Sequence, residues 1–154
     1  MVRKIFAPIL LLLVTATLQA EELRGKVVGI SDGDTITVLD AQNVQHKIRL
    51  QGVDAPETSQ AFGARCKQHL GEKIFGKQVV VTWTEKDRYD RILGEVTLGN
   101  RNIALEMVRD GAAWHYKQFS KSTELAEAEV EARKAKKGLW VDKEPVPPWE
   151  FRKK

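Results

Sequence analysis

Residues 34–57 read DTITVLDAQNVQHKIRLQGVDAPE. The period in this stretch is two: Thr35 and Thr37 alternate with Ile36 and Val38. After a break at Asp40–Asn43, Val44, His46, Ile48 and Leu50 fall on one face and Gln45, Lys47 and Arg49 on the other. Such alternation marks half-buried strands, and the break DAQN suits a hairpin loop. The run closes on two acids, Asp54 and Glu57, held three apart around Pro56. Arg49 points away from the apolar face, so the nearby acids are expected to meet it without being buried in hydrocarbon.

Outward from this stretch, the alternation begins at Leu23. Downstream, a helix is expected from about Ala61 to Phe75, closed by Gly76. QVVVTWT (78–84) reads as a strand, EKDRYDR (85–91) as a turn and ILGEVTL (92–98) as the partner strand. NIALEMVRDG is a second helix ending at Gly111. A third runs from about Ser122 to Lys137, with Ser122 as N-cap, Glu124 in the first turn and Arg133, Lys134, Lys136 and Lys137 toward its end. Its buried stripe is Leu125, Ala128, Ala132 and Ala135. The tail after Trp140, with Pro145, Pro147 and Pro148, is expected to be an irregular strap or loose end. Five strands and three helices, strands mostly first, predict an α+β fold. The simplest assembly is a closed five-stranded barrel with a helix inserted between strands three and four.

The first twenty residues stand apart. Arg3 and Lys4 precede an apolar run from Ile5 to Leu18, followed by small residues and Ala20. This is the layout of a secretory signal peptide, and the run falls short of the ~20 apolar residues of a membrane span. The expectation is a cleaved signal over 1–20, although cleavage after Ala16 remains open, and one domain over 21–154. The protein is then exported, to a periplasm or beyond the cell, without stable membrane insertion after cleavage. Lys and Arg number 25 against 21 Asp and Glu, and two of the 25 are Arg3 and Lys4. So mild an excess does not itself imply a nucleic-acid partner. Cys66 is the single cysteine, so no internal disulfide forms and the core must hold the fold. Cys66 itself is expected to be a small buried apolar residue.

The chemistry lies in SDGDT and VDAPE. Asp34 follows a turn glycine and Asp54 a strand end, and in a small barrel such ends can share one rim. Two carboxylates and a backbone carbonyl make a hard oxygen site suited to Ca²⁺, although SDGD is equally a good turn. Arg88 and Arg91 can return to the rim of Arg49, where guanidiniums bind phosphate oxygens bidentately. A metal, arginines and a spare carboxylate suffice for phosphodiester hydrolysis, with Glu57 taking a proton from water.

SDGDTITV, IRLQGVDAPE, DRYDRILGEV and ARKAKKGLW together resemble the staphylococcal nuclease family, in order, from about Leu23 to Trp140. The resemblance implies an OB-fold barrel of five strands with three helices. It implies Ca²⁺ on Asp34, Asp54 and the main-chain carbonyl of Ala55, with Arg49, Glu57 and Arg91 as the catalytic set. Arg88 and Tyr89 would contact a terminal phosphate. The implied reaction cleaves the P–O5′ bond of DNA and RNA, leaving 3′-phosphate ends, and the protein is expected to act as a monomer. Three departures stand out. Ala55 replaces a common Thr, Asp90 a common Gly, and the segment after Glu57 is short. The charge of Asp90 is expected to compete with substrate for Arg91.

Trp114, Tyr116 and Phe119 can offer a stacking surface. Trp114 reads as packing and Tyr116 as the substrate contact. His46, His69 and His115 form no close ligand pair and read as structural or surface residues. The rival reading is an OB barrel that binds nucleic acid without cutting it. Against it, Asp34, Asp54 and Glu57 would repel phosphate in a pure binder.

Overall fold

Two register irregularities, between Val27 and Gly29 and between Ile30 and Asp32, bend the twelve-residue strand β1 (Glu21–Asp32). The bend lets its first half pair with β5 (Gln78–Lys86) while the remainder pairs with β2 (Thr35–Asp40). The computed structural model describes residues 19–154, so all but the last two residues of the expected signal over 1–20 lie outside them. β2 continues antiparallel into β3 (Gln45–Leu50), and β5 into β6 (Ile92–Leu98). Parallel pairing of β3 with β6, Ile48 opposite Ile92, closes the five strands into a barrel. Val27, Ile36, Val38, Ile48, Val81 and Val96 are fully buried. This is the expected α+β barrel. Val44, assigned to the apolar face, is instead exposed in the β2–β3 turn, where its N–H bonds Asp40.

β4 (Val53–Asp54) leads into α1 (Gly63–Ile74), which lies between strands of the barrel as expected and buries Cys66, Leu70 and Ile74. Burial pushes the Cys66 thiol up to about 12, in keeping with an inert core residue. β7 (Arg101–Asn102) precedes α2 (Ile103–Arg109), whose cap is the Asn102 side chain accepting from the Leu105 N–H at 3.0 Å. β8 (Trp114–His115) pairs with β4. In α3 (Thr123–Lys134), Ser122 caps as expected, accepting from the Leu125 N–H at 3.2 Å. The helix stops three residues short of Lys137. Lys136 and Gly138 turn to positive φ, and the Leu139 N–H bonds the Gly111 carbonyl.

The tail is not a loose end. A 3₁₀ turn at Gly138–Val141 buries Leu139 and Trp140. The short α4 (Pro148–Phe151) then sets Trp149 edge-on to Trp114, with ring centroids 5.4 Å apart. Trp114 is buried, as its packing role required. Glu129, buried on α3, accepts the His115 N–H at 2.7 Å and faces Arg133, so its charge is matched and β8 is tied to the helix.

Near the surface, Lys73 bonds Glu106 and links α1 to α2, and Arg101 of β7 bonds the same carboxylate. The hydrogen bond from Arg101 is the largest influence on the Glu106 carboxyl; burial opposes it, Lys73 adds to the lowering, and the result is about 2. The folded value lies below the unfolded one, so this stabilisation is complete above pH 4.5 and lost as pH falls through about 2. Glu106→Gln should therefore cost about 1 kcal/mol at pH 7 by urea denaturation, after discounting for solvent screening. The gap to wild type should narrow below pH 4.5 and close as pH falls through about 2.

Candidate active site

Gly33 lets the β1–β2 turn press on the barrel rim. A Cβ there would lie 2.8 Å from the Ala55 Cβ and 2.9 Å from that of Cys66. The turn is also tied to the end of β3, where the Leu50 N–H bonds the Asp34 carbonyl. These contacts bury the Asp34 carboxylate. Its Oδ2 accepts the Ala55 N–H at 2.6 Å, its Oδ1 accepts the Thr35 hydroxyl at 3.0 Å, and Arg49 Nη2 lies 3.2 Å from Oδ2. The short β4–β8 ladder holds Asp54 opposite Trp114, 1% exposed.

Arg49 joins the two acids. Its Nη1 donates to the carbonyls of Leu50 and Val53, and its Nη2 donates to Asp54 Oδ1 at 3.0 Å. The acids do meet Arg49, but in the protein interior rather than outside it, which corrects the sequence expectation. Alternation sets which way Arg49 points, while the β1–β2 turn and β4 fold over that face and exclude water. Burial is the largest influence on Asp34 and pushes its carboxyl up to about 7, with Arg49 opposing and Asp32 adding to the rise. One guanidinium does not offset the burial of this carboxylate.

Glu57 follows Pro56 on a turn closed by the Gln60 N–H on the Glu57 carbonyl at 2.8 Å. Gly63 opens α1 directly against that carbonyl, where a Cβ would overlap it. The Glu57 side chain stays partly exposed at the rim.

A residue absent from the sequence reading completes the cluster. Arg152 donates through Nη2 to Asp54 Oδ2 at 2.7 Å, and through Nη1 to Asp54 Oδ1 at 3.2 Å and Glu57 Oε1 at 2.8 Å. These acids raise its already high pKa further, Asp54 most. Arg152 lies 98 residues beyond Asp54. The only local hint was PPWEF, a helix start with an aromatic anchor, and that gives no target.

The remaining expected residues stand apart from this cluster. Arg91 precedes Ile92, the partner of Ile48, so it lies just before the strand that pairs with that of Arg49. Its Nε is held at 2.7 Å by Asp87, which also accepts the N–H groups of Tyr89 and Arg91. Asp90, the expected competitor for Arg91, instead pairs with Lys86 at 2.9 Å. At φ +61° it serves the turn, and Asp87 is the carboxylate on Arg91. Tyr89 is exposed, with the Arg88 and Arg91 guanidiniums 4.8 and 5.4 Å from its ring centroid. Tyr116 lies near the rim, its N–H on the Gly52 carbonyl, and stacks within 6° of parallel on Trp149. The histidines are structural or surface groups, as read: His46 bonds Asp40, His69 bonds Asp110 and His115 is buried against Ser120.

Asp34, Asp54 and the Ala55 carbonyl are hard oxygen donors, and the two acids already draw two guanidiniums onto them. That chemistry fits Ca²⁺. Among the described residues no group of three or more His, Cys, Asp or Glu could hold a metal, so carbonyl and water oxygens would complete the shell.

A closed five-stranded barrel carrying acids and arginines at one rim defines an OB-fold enzyme of phosphodiester chemistry. Residues 47–142 match the family model described as "Staphylococcal nuclease homologue". The chain is 40% identical over 148 residues to an "Uncharacterized endonuclease" of Escherichia coli, covering 96% of each chain. It is 42% identical to an "Uncharacterized endonuclease" of Haemophilus influenzae (98% of this chain, 86% of the relative). It is also 42% identical to a "Micrococcal nuclease" of Shigella flexneri (86% and 82%). The chain belongs to the staphylococcal nuclease family and is a nuclease hydrolase. The matched segment ends at residue 142, before Arg152.

Proposed function

We propose that this nuclease is exported and Ca²⁺-dependent, and that it cleaves DNA and RNA at the P–O5′ bond to leave 3′-phosphate ends. The carrying observation is the cluster at the barrel rim in which Arg49 pairs with Asp34 and Asp54 and Arg152 joins Asp54 to Glu57. Export rests on the leader pattern of residues 1–20, and a monomer suffices because one chain supplies the whole cluster.

Ca²⁺ bound by Asp34, Asp54 and the Ala55 carbonyl would supply the positive charge that polarises the phosphate. Arg49, held by two backbone carbonyls, presents a fixed guanidinium to the charge that grows as phosphorus becomes five-coordinate. Glu57, partly exposed, accepts a proton from the attacking water. The new P–O bond forms as P–O5′ breaks, and O5′ takes a proton from solvent. Arg91 can exchange Asp87 for a phosphate oxygen, while Arg88 and Tyr89 face a terminal phosphate. Tyr116 offers its ring to a base.

A digest of DNA and of RNA in Ca²⁺, Mg²⁺ or excess EDTA tests this. Cleavage is expected in Ca²⁺, poorly in Mg²⁺ because its strict octahedron suits a carboxylate–carbonyl–water site less well, and not in EDTA. Products should accept a 5′ label without prior dephosphorylation and resist 3′ extension. Full cleavage in EDTA, or extendable 3′ ends, overturns the proposal.

A further inference from the structure

We infer that Arg152 is a tethered cation that occupies the active-site carboxylates and must leave them for Ca²⁺ to bind. The inference rests on the assignment of Asp54 as a Ca²⁺ ligand. Asp54 Oδ1 accepts from both Arg49 and Arg152, and Oδ2 accepts from Arg152 at 2.7 Å. A metal ion cannot reach Oδ2 along the direction that Nη2 fills. The same guanidinium donates to Glu57 Oε1, so one side chain covers both a proposed ligand and the proposed base. Arg49 differs: it is 12% exposed and fixed by two carbonyls, whereas Arg152 is 40% exposed and, among the described residues, makes all its side-chain bonds to the two acids. Arg49 is built in; Arg152 is removable.

The backbone before Arg152 is docked independently of that contact. Gln60 Nε2 donates to the Val146 carbonyl at 2.7 Å, Pro148 is buried, and Trp149 packs on both Trp114 and Tyr116. With its base held there, the guanidinium samples Asp54 at the high effective concentration of a tethered ligand. It therefore competes with free Ca²⁺ while being displaceable by rotation of one side chain. Guanidinium stays protonated throughout the working pH range, so the exchange needs no change in the charge of Arg152 itself. The strap also covers one face of Tyr116 with an indole ring, which places the Tyr116 stacking surface and the Asp54 carboxylate under a single segment.

The test is calorimetric titration of Ca²⁺ into the full chain without substrate, comparing wild type, Arg152→Ala and Arg152→Gln. Removing one partly screened, charge-assisted contact should tighten Ca²⁺ binding about tenfold. The Ca²⁺ midpoint of cleavage should fall by the same factor, with kcat at saturating Ca²⁺ kept. Trp149→Ala, which loosens the strap but keeps the guanidinium, should shift Ca²⁺ affinity in the same direction, so the inference stays testable if Arg152→Ala folds poorly. Unchanged or weaker Ca²⁺ affinity in folded Arg152 variants overturns the competition. So does a collapse of kcat at saturating Ca²⁺, which would make Arg152 a substrate-contacting group. Absence of Ca²⁺ binding in wild type and variants alike overturns the metal assignment and this inference with it.

Discussion

Glu57→Gln should lower kcat roughly 10²- to 10⁴-fold, the usual worth of a general base. The amide keeps the size of the side chain and its place on the Pro56 turn, and it still accepts a hydrogen bond from Arg152. It cannot take the proton of the attacking water. The turn is held by backbone contacts, the Gln60 N–H on the Glu57 carbonyl and Gly63 against it, so folding should survive. Steady-state kinetics with a synthetic dinucleotide ester, alongside inhibitor binding, separate the possibilities. Binding should persist and added Ca²⁺ should not restore the rate. Rescue by Ca²⁺ would show Glu57 acting chiefly through the metal.

Arg49→Lys should cost on the order of 10²-fold or more in kcat, by analogy with removing one oxyanion donor. The structure sharpens the reason. Arg49 uses Nη1 on the Leu50 and Val53 carbonyls and Nη2 on Asp54 and Asp34. A lysine offers one nitrogen and cannot hold the backbone of β4 and the two acids at once. A lower melting temperature in EDTA is therefore expected beside the kinetic loss. Wild-type kcat in the folded variant would reduce Arg49 to a strand residue that braces the rim.

Much of the site could be read in the sequence because its residues sit where local rules apply. Period-two alternation across Thr35–Leu50 turned Arg49 off the apolar face, and Gly33 and Pro56 marked the turns that carry Asp34 and Glu57. Ser122 declared itself as a cap by hydroxyl chemistry and position. One misplacement came where a charge chose between partners of similar local standing. Asp87 and Asp90 both flank the β5–β6 turn, yet Asp90 takes positive φ and reaches Lys86, while Asp87 folds inward onto Arg91. Spacing alone does not rank those two pairings.

The sequence by itself determined the strand and helix order, the barrel class, and Asp34, Arg49, Asp54 and Glu57 as neighbours at the rim, because side-chain alternation, capping and turn chemistry act over a few residues. Tertiary structure alone decided how deeply Asp34 and Asp54 lie. Asp34 is buried where the β1–β2 turn presses on Ala55 and Cys66, and Asp54 by the β4–β8 ladder, contacts between segments far apart in the chain. It also decided that Trp149 covers Tyr116 and that Arg152 reaches Asp54 across 98 residues. An arginine in a proline-rich tail carries no local mark of its partner; the packing of Pro148 and Trp149 against the barrel delivers it there, and the unmatched charge of two acids holds it.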